Sequence, residues 1–380
     1  MKKIKVVFVH HKLVCGGAEQ ALFDLVNLMD KDKFDITVFT QNPGGAWDLK
    51  FAKAGIRVIY DYSCRKTTWS PMGKIRNAVK KIKTDEAYRN EGRGLLDVIL
   101  EEAPDIVVSY NVWENEELVF AQGAKTIKYI HGDPGTNPDY RAEAQNRQDI
   151  LRRFDRIVCV STSAVTAFRE LSGIRDTVEM HYNPMKRETV HALAREAIDF
   201  PEDAPVICTV GRLSEEKALE RLLVIHRDLL GEGIRHRLMI VGDGTDRTYL
   251  ERLVRAMGVE ESVTFAGYQA NPYPYMKKSR FLVNSSYTEG LPVIAMEALC
   301  LGVPIVAPIP SIGEIFGEET CGIVTENNNE SLKAGIRRML TDEAFYQETK
   351  NGAQRRSSFF DGSRMVKEIE EMFLSVLENG

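Results

Sequence analysis

At 380 residues, 43% of them hydrophobic and 28% charged, the chain is long and apolar enough for two ordinary domains, which excludes disordered and collagen-like classes. Fifty basic against 55 acidic residues leave a net charge of -5, so no global field draws the protein to nucleic acid and none is expected as a partner. Six cysteines (Cys15, Cys64, Cys159, Cys208, Cys300 and Cys321) are scattered without a CxxC pair, a pattern of reduced core thiols in a cytoplasmic setting rather than of a disulfide or zinc frame.

The chain opens Met1-Lys2-Lys3 and passes at once into an apolar run over 4–9, too short for a signal peptide and read as a first strand. No apolar run approaches the ~20 residues that span a bilayer. The protein is therefore expected to be soluble, at most peripheral on the inner face of the cell membrane. Further strand-like runs over 35–40, 56–60, 105–109, 126–131 and 156–160 alternate with helical stretches such as 18–29 and 114–121, which predicts a parallel sheet covered on both faces. Within 63–94 lies a basic tract with Arg65, Lys66, Lys74, Arg76, Lys80, Lys81 and Lys83, either a solvated helix face or a surface for phosphate headgroups. A polar stretch from Asn183-Pro184 to Pro205 then separates a second set of strands over 206–210, 237–241, 262–266, 280–284, 303–307 and 322–325. The expected class is α/β with two parallel sheets, the domains covering 1–183 and 184–360.

In open parallel sheets the ligand crevice lies beyond the carboxyl ends of the strands, where helix N-termini offer unpaired amides to anions. After the first strand come His10 and His11, read as structural, and then Gly16-Gly17. These glycines either let backbone amides approach a phosphate or sugar or make a simple tight turn; the absence of GxGxxG disfavours a dinucleotide site. After 206–210 come Arg212 and Lys217, a fork and a mobile point charge suited to a diphosphate. The alternative is a helix cap at Ser214 with Lys217 in a surface pair. Gly242 opens another backbone-exposing turn, and Asp243 and Asp246 there read as caps rather than as a metal site.

The segment Ser286-Tyr287-Thr288-Glu289-Gly290-Leu291-Pro292-Val293-Ile294-Ala295-Met296-Glu297-Ala298-Leu299 predicts a helix of about ten residues starting just after Gly290, with Glu289 in front of its mouth. Glu297 falls within an apolar run, where a carboxylate is costly unless it receives hydrogen bonds; ribose hydroxyls are natural donors, and a structural backbone or arginine partner is the alternative. Glu289 reads either as a ligand of a sugar or as a capping carboxylate.

Glu289 and Glu297 within Glu-Gly-Leu-Pro and Met-Glu-Ala-Leu, together with Gly211-Arg212-Leu213 through Lys217, resemble the retaining glycosyltransferase family 4 (group 1 glycosyltransferases) of the GT-B fold. Gly16-Gly17, His131, Val160-Ser161 and Tyr182-Asn183-Pro184 extend the resemblance over nearly the whole chain. It implies two Rossmann-like domains with parallel sheets facing a central cleft, the first completed by a returning helix within 361–380. It further implies that Arg212 and Lys217 hold the donor diphosphate, Glu297 the ribose and Glu289 the transferred sugar. The backbone around Gly290, Leu291, Pro292 and Val293 and the turn at Gly242 would border phosphate or sugar, with His131 reaching the sugar from the opposite domain and Gly16 and Gly17 bordering phosphate and acceptor. Ala218 departs from the family, which more often has glycine after this lysine.

The activity so implied is transfer of a hexose or N-acetylhexosamine, from a UDP-sugar first and GDP-mannose second, to a glycan or lipid-linked acceptor in cell-surface polysaccharide or glycoconjugate synthesis. No metal or other cofactor is expected. In such enzymes the acceptor hydroxyl is thought to enter on the leaving-group face and to give its proton to the departing phosphate. A nucleotide-sugar epimerase of the same fold, or a non-catalytic sugar-nucleotide-binding protein, are the rival readings; a dehydrogenase would want the GxGxxG that is missing.

Overall fold

The computed structural model describes residues 2–14, 16–61, 95–112 and 116–378; the basic tract of 63–94, Cys15 and Cys64 lie outside them. The described cysteines, Cys159, Cys208, Cys300 and Cys321, are free and buried. Thirteen strands form two sheets in the described residues, both wholly parallel.

The first sheet holds β1 (Ile4–His10), β2 (Phe34–Thr40), β3 (Arg57–Tyr60), β4 (Ile106–Asn111), β5 (Lys125–Ile130), β6 (Arg156–Cys159) and β7 (Val178–Met180) in the order β3-β2-β1-β4-β5-β6-β7. The second holds β8 (Val206–Val210), β9 (Arg237–Val241), β10 (Val263–Gly267), β11 (Phe281–Val283), β12 (Ile305–Ala307) and β13 (Gly322–Val324) in the order β10-β9-β8-β11-β12-β13. Val6 and Phe8 face one apolar cluster and Val7 and Val9 another, so β1 reads as an unbroken hydrophobic run because helices cover both of its faces.

Sheet order locates the site. In the first sheet the order reverses between β1 and β4, in the second between β8 and β11. A crevice opens at such a switch point beyond the strand ends. The loops after β1, β8 and β11 therefore border the cleft, and these carry Gly16-Gly17, Arg212 with Lys217, and Glu289.

After the second sheet the chain returns to the first. The Gly362–Glu378 helix buries Val366, Ile369, Met372, Phe373 and Val376 among Phe8, Leu22, Leu25 and Phe34, with the Phe373 ring 6.2 Å from Phe8 and 6.3 Å from Phe34. The Glu370 carboxylate accepts from the Asp30 amide at 2.6 Å.

Two expectations change. The stretch over 114–121 is not an α-helix: its described part is a 3-10 turn, Glu116–Gly123. Its Glu116 is buried and accepts from Ser109 Oγ and Lys128 Nζ at 2.5 and 2.6 Å, a local polar network that competes with regular helix. Strand β7 is additional.

Candidate active site

Loops stitched to one another set the second-domain wall of the cleft. Gly211 and Leu213 donate their amides to the carbonyls of Val241 and Asp243 at 3.0 Å each, which ties the loop after β8 to the loop after β9. Gly242, at φ +146°, lies so close to Gly211 that a Cβ there would collide with the Gly211 carbonyl oxygen; glycine is required for that approach. Arg212 is thereby exposed on the cleft wall. It makes no hydrogen bond or ion pair with another described residue.

Lys217 ends a 3-10 turn, Glu215–Lys217, held from the loop after β11 by Ser285 Oγ, which donates to the Lys217 carbonyl at 2.8 Å, and by the Tyr287 amide on the Glu216 carbonyl at 3.1 Å. Its Nζ meets Glu289 Oε1 at 2.5 Å, and Ser286 Oγ donates to the same oxygen at 2.8 Å. Of the alternatives in the sequence, the cap at Ser214 is absent: its hydroxyl turns to Glu216 instead. Lys217 pairs with the cleft glutamate, not with a surface one. Ala218 follows at φ +49°, a left-handed conformation that favours glycine, which explains the residue the family more often carries.

The helix after Glu289 is shorter than expected, Val293–Cys300, with Pro292 before it. Glu297 is buried on its second turn and accepts from Tyr273 Oη at 2.8 Å. Burial pushes its carboxyl up to about 7, and Asp24 of the first domain adds to the rise. Only one Glu297 oxygen is taken by Tyr273.

The first domain supplies the opposite wall. A Cβ on Gly290 would strike the His131 carbonyl oxygen, so this glycine allows the domains to close upon each other, while Gly17 faces Val293 Cγ2 with room for an ordinary van der Waals contact. The hydroxyls of Thr136 and Thr288 meet at 2.8 Å across the same junction. Glu314 accepts from the amides of Thr162 and Ser163 at 2.8 Å each and so caps a first-domain helix, Thr162–Ser172, from the second. The His131 ring lies 4.4 Å from Tyr110. Burial lowers it to about 4, against a weaker opposing contact with the Tyr110 backbone, so it is a neutral imidazole near pH 7.

The cavity between these walls measures about 470 Å³ and is lined by Gly16, Gly17, His131, Arg212, Lys217, Gly242, Glu289, Leu291, Pro292, Val293 and Glu297. Of the residues singled out in the sequence, Gly290 alone does not line it and instead abuts His131. Trp47, Lys50, Asn183, Tyr268, Gln269, Ala270 and Tyr273 line it as well and were missed. Tyr273 stands 24 residues before its partner Glu297, and no local spacing signals that contact.

Residues 191–356 match the family Glycosyl transferases group 1. Over 97% of its length the chain is 30% identical to 98% of a Campylobacter jejuni protein, N-acetylgalactosamine-N,N'-diacetylbacillosaminyl-diphospho-undecaprenol 4-alpha-N-acetylgalactosaminyltransferase. It is 23% identical, over 99% of both chains, to the lipopolysaccharide core biosynthesis glycosyltransferase LpsD of Rhizobium meliloti. Anabaena HepE, solved in complex with UDP-glucose, superposes with a TM-score of 0.74 at 18% identity, over 98% of this chain and 100% of that one.

Proposed function

The chain belongs to the group 1 glycosyltransferases and has their GT-B fold, and we propose that it transfers a hexose or N-acetylhexosamine from a UDP-sugar, with retention and without a metal, to a glycan or lipid-linked acceptor. The observation that carries this reading is the convergence of Arg212, Lys217 and the start of the Val293–Cys300 helix on one cleft wall, with Glu289 between them and Glu297 behind.

Those groups match the charge that develops. Breaking the bond from the anomeric carbon to the diphosphate oxygen leaves positive charge on the sugar and negative charge on the leaving group. Fixed donors aimed at that leaving group lower the barrier most. Arg212 and Lys217 neutralise it, Glu289 orients sugar hydroxyls while sharing Lys217, and the second oxygen of Glu297 accepts from ribose. The acceptor oxygen bonds to the anomeric carbon as the old bond breaks, and its proton passes to the departing phosphate oxygen. His131, neutral, offers a ring nitrogen to a sugar hydroxyl from the other domain. The nucleobase lies toward Tyr268, Gln269 and Ala270.

UDP is preferred over GDP because the HepE complexes contain UDP or UDP-glucose. A lipid-diphosphate acceptor and a role in cell-surface glycoconjugate assembly follow the Campylobacter and Rhizobium relatives. Among the described residues no helix is long and apolar enough to cross a membrane, so contact with a lipid-linked acceptor would be peripheral.

Incubation with a panel of UDP-, GDP- and ADP-sugars in excess EDTA tests the donor and the metal together. A UDP-sugar should be consumed at the same rate with and without chelator. Activity abolished by EDTA and restored by Mn²⁺ would overturn the metal-free reading.

A further inference from the structure

One buried carboxylate at the cleft has no part in the scheme above. Glu19 sits in the first turn of the Gly17–Leu28 helix and is 4% exposed. Its closest charged or chargeable neighbour is His10, whose Nε2 lies 3.5 Å from Oε1. His10 Nδ1 accepts from the Lys12 amide at 3.2 Å, so the ring hydrogen is on Nε2, which makes no hydrogen bond to the carboxylate. Burial, reinforced by His131 and His11, lowers His10 to about 3; it supplies no positive charge near pH 7.

The cation that Glu19 does face is across the cleft. A Cβ placed on Gly16 would lie 2.5 Å from Glu19 Oε2 and 3.7 Å from the terminal guanidinium nitrogen of Arg212. Carboxylate and guanidinium therefore flank the same point of the cleft wall, one from each domain, where a diphosphate would come to Arg212. An acid in the first turn of a helix is stabilised by the helix dipole wherever it occurs. That ordinary role does not require an arginine from another domain beside it.

We propose that Glu19 is the internal counter-charge of Arg212 across the cleft, opposing the donor diphosphate there and speeding departure of the nucleoside diphosphate product. The proposal rests on the donor assignment above. A diphosphate arriving at Arg212 approaches the Glu19 charge from the far side of Gly16, and the repulsion weakens its hold. After transfer, when the bond to the sugar no longer helps to retain the nucleotide, the same repulsion favours release.

The repulsion is graded by pH. Burial raises the Glu19 carboxyl to about 7, with a hydrogen bond from its own backbone amide and then Arg212 pulling it back down. The other groups about it are His10, His11 and His131 and the phenols of Tyr110 and Tyr140; His10 and His131 are lowered to about 3 and about 4, and burial raises both phenols. Glu297 titrates in the same range, but it does so identically in wild type and in a Glu19 variant, so a comparison of the two removes it.

The test is calorimetric titration of UDP into the full chain, with GDP and ADP in parallel, for wild type, Glu19→Gln, Arg212→Ala and the double variant. At about pH 8.5, Glu19→Gln should tighten UDP by about fivefold to tenfold, while at about pH 5.5 the two proteins should agree. In the Arg212→Ala background the gain should shrink to about twofold or less, because only the direct repulsion between Glu19 and the diphosphate remains. UDP should also become a stronger product inhibitor of Glu19→Gln, without a rise in kcat. Equal affinity of wild type and Glu19→Gln at the higher pH, or the same gain without Arg212, overturns the proposal while leaving the donor site standing. If wild type binds none of the three nucleotides, the donor reading itself fails and the proposal with it. Should Glu19→Gln not fold, Glu19→Ala is equally uncharged and reads the same difference.

Discussion

Arg212→Ala is expected to lower kcat by about a thousandfold, the loss typical of removing one fixed donor from a developing negative charge. Arg212 is exposed on the cleft wall and makes no hydrogen bond or ion pair with another described residue, so its removal breaks nothing in the fold and the melting temperature should stay within a degree or two of wild type. Lys217 cannot substitute for it: its ammonium is shared with Glu289 at 2.5 Å, and a point charge does not reproduce the planar fork that grips two phosphate oxygens. Steady-state kinetics with saturating donor measure the effect. A variant that keeps kcat and loses only donor affinity would mean that Arg212 binds the ground state and does not act on the leaving group.

Glu297→Ala should act earlier in the cycle, on the nucleotide itself. Loss of the ribose hydrogen bonds to a buried carboxylate is worth about 2–3 kcal/mol, or roughly 30-fold to 150-fold in affinity for free UDP. Stability should move the other way with pH. Because burial raises this carboxyl from 4.5 to about 7, the native protein keeps a proton that the unfolded chain gives up, and wild type loses stability as pH rises across that window. The alanine variant lacks this loss, so its melting temperature should gain on wild type between pH 5 and 8. Unchanged UDP affinity would remove Glu297 from the ribose site and leave it a structural partner of Tyr273.

The fold was legible because its strands are buried on both faces and stand out as apolar runs; β1 and β8 are examples. Strand β7 was not, since Val178-Glu179-Met180 is three residues long at a sheet edge and offers no run to see. The helix anticipated over 114–121 is helical in its described part but of the 3-10 kind: Glu116 looks like an ordinary surface helix former, and its burial against Lys128 and Arg147 involves residues further along the chain. At the site, Arg212, Lys217, Glu289 and Glu297 could be read because strand-end loops and short motifs carry them. The cleft residues Trp47 and Lys50 could not. They face the second domain only because the sheets close on each other, with Lys50 Nζ 3.5 Å above the Trp47 ring. The place of Glu19 beneath Gly16 likewise depends on a neighbour, Arg212, from the other domain.

Transfer from a nucleotide sugar with retained configuration is read most plainly in the configuration of the product. The wild-type chain, supplied with the UDP-α-sugar it consumes and with undecaprenyl-diphosphate-linked glycans as acceptors, should release UDP and yield an α-linked product when the anomeric proton is followed by NMR. A β-linked product, or consumption of the donor to an epimerised sugar with none joined to the acceptor, would contradict the account.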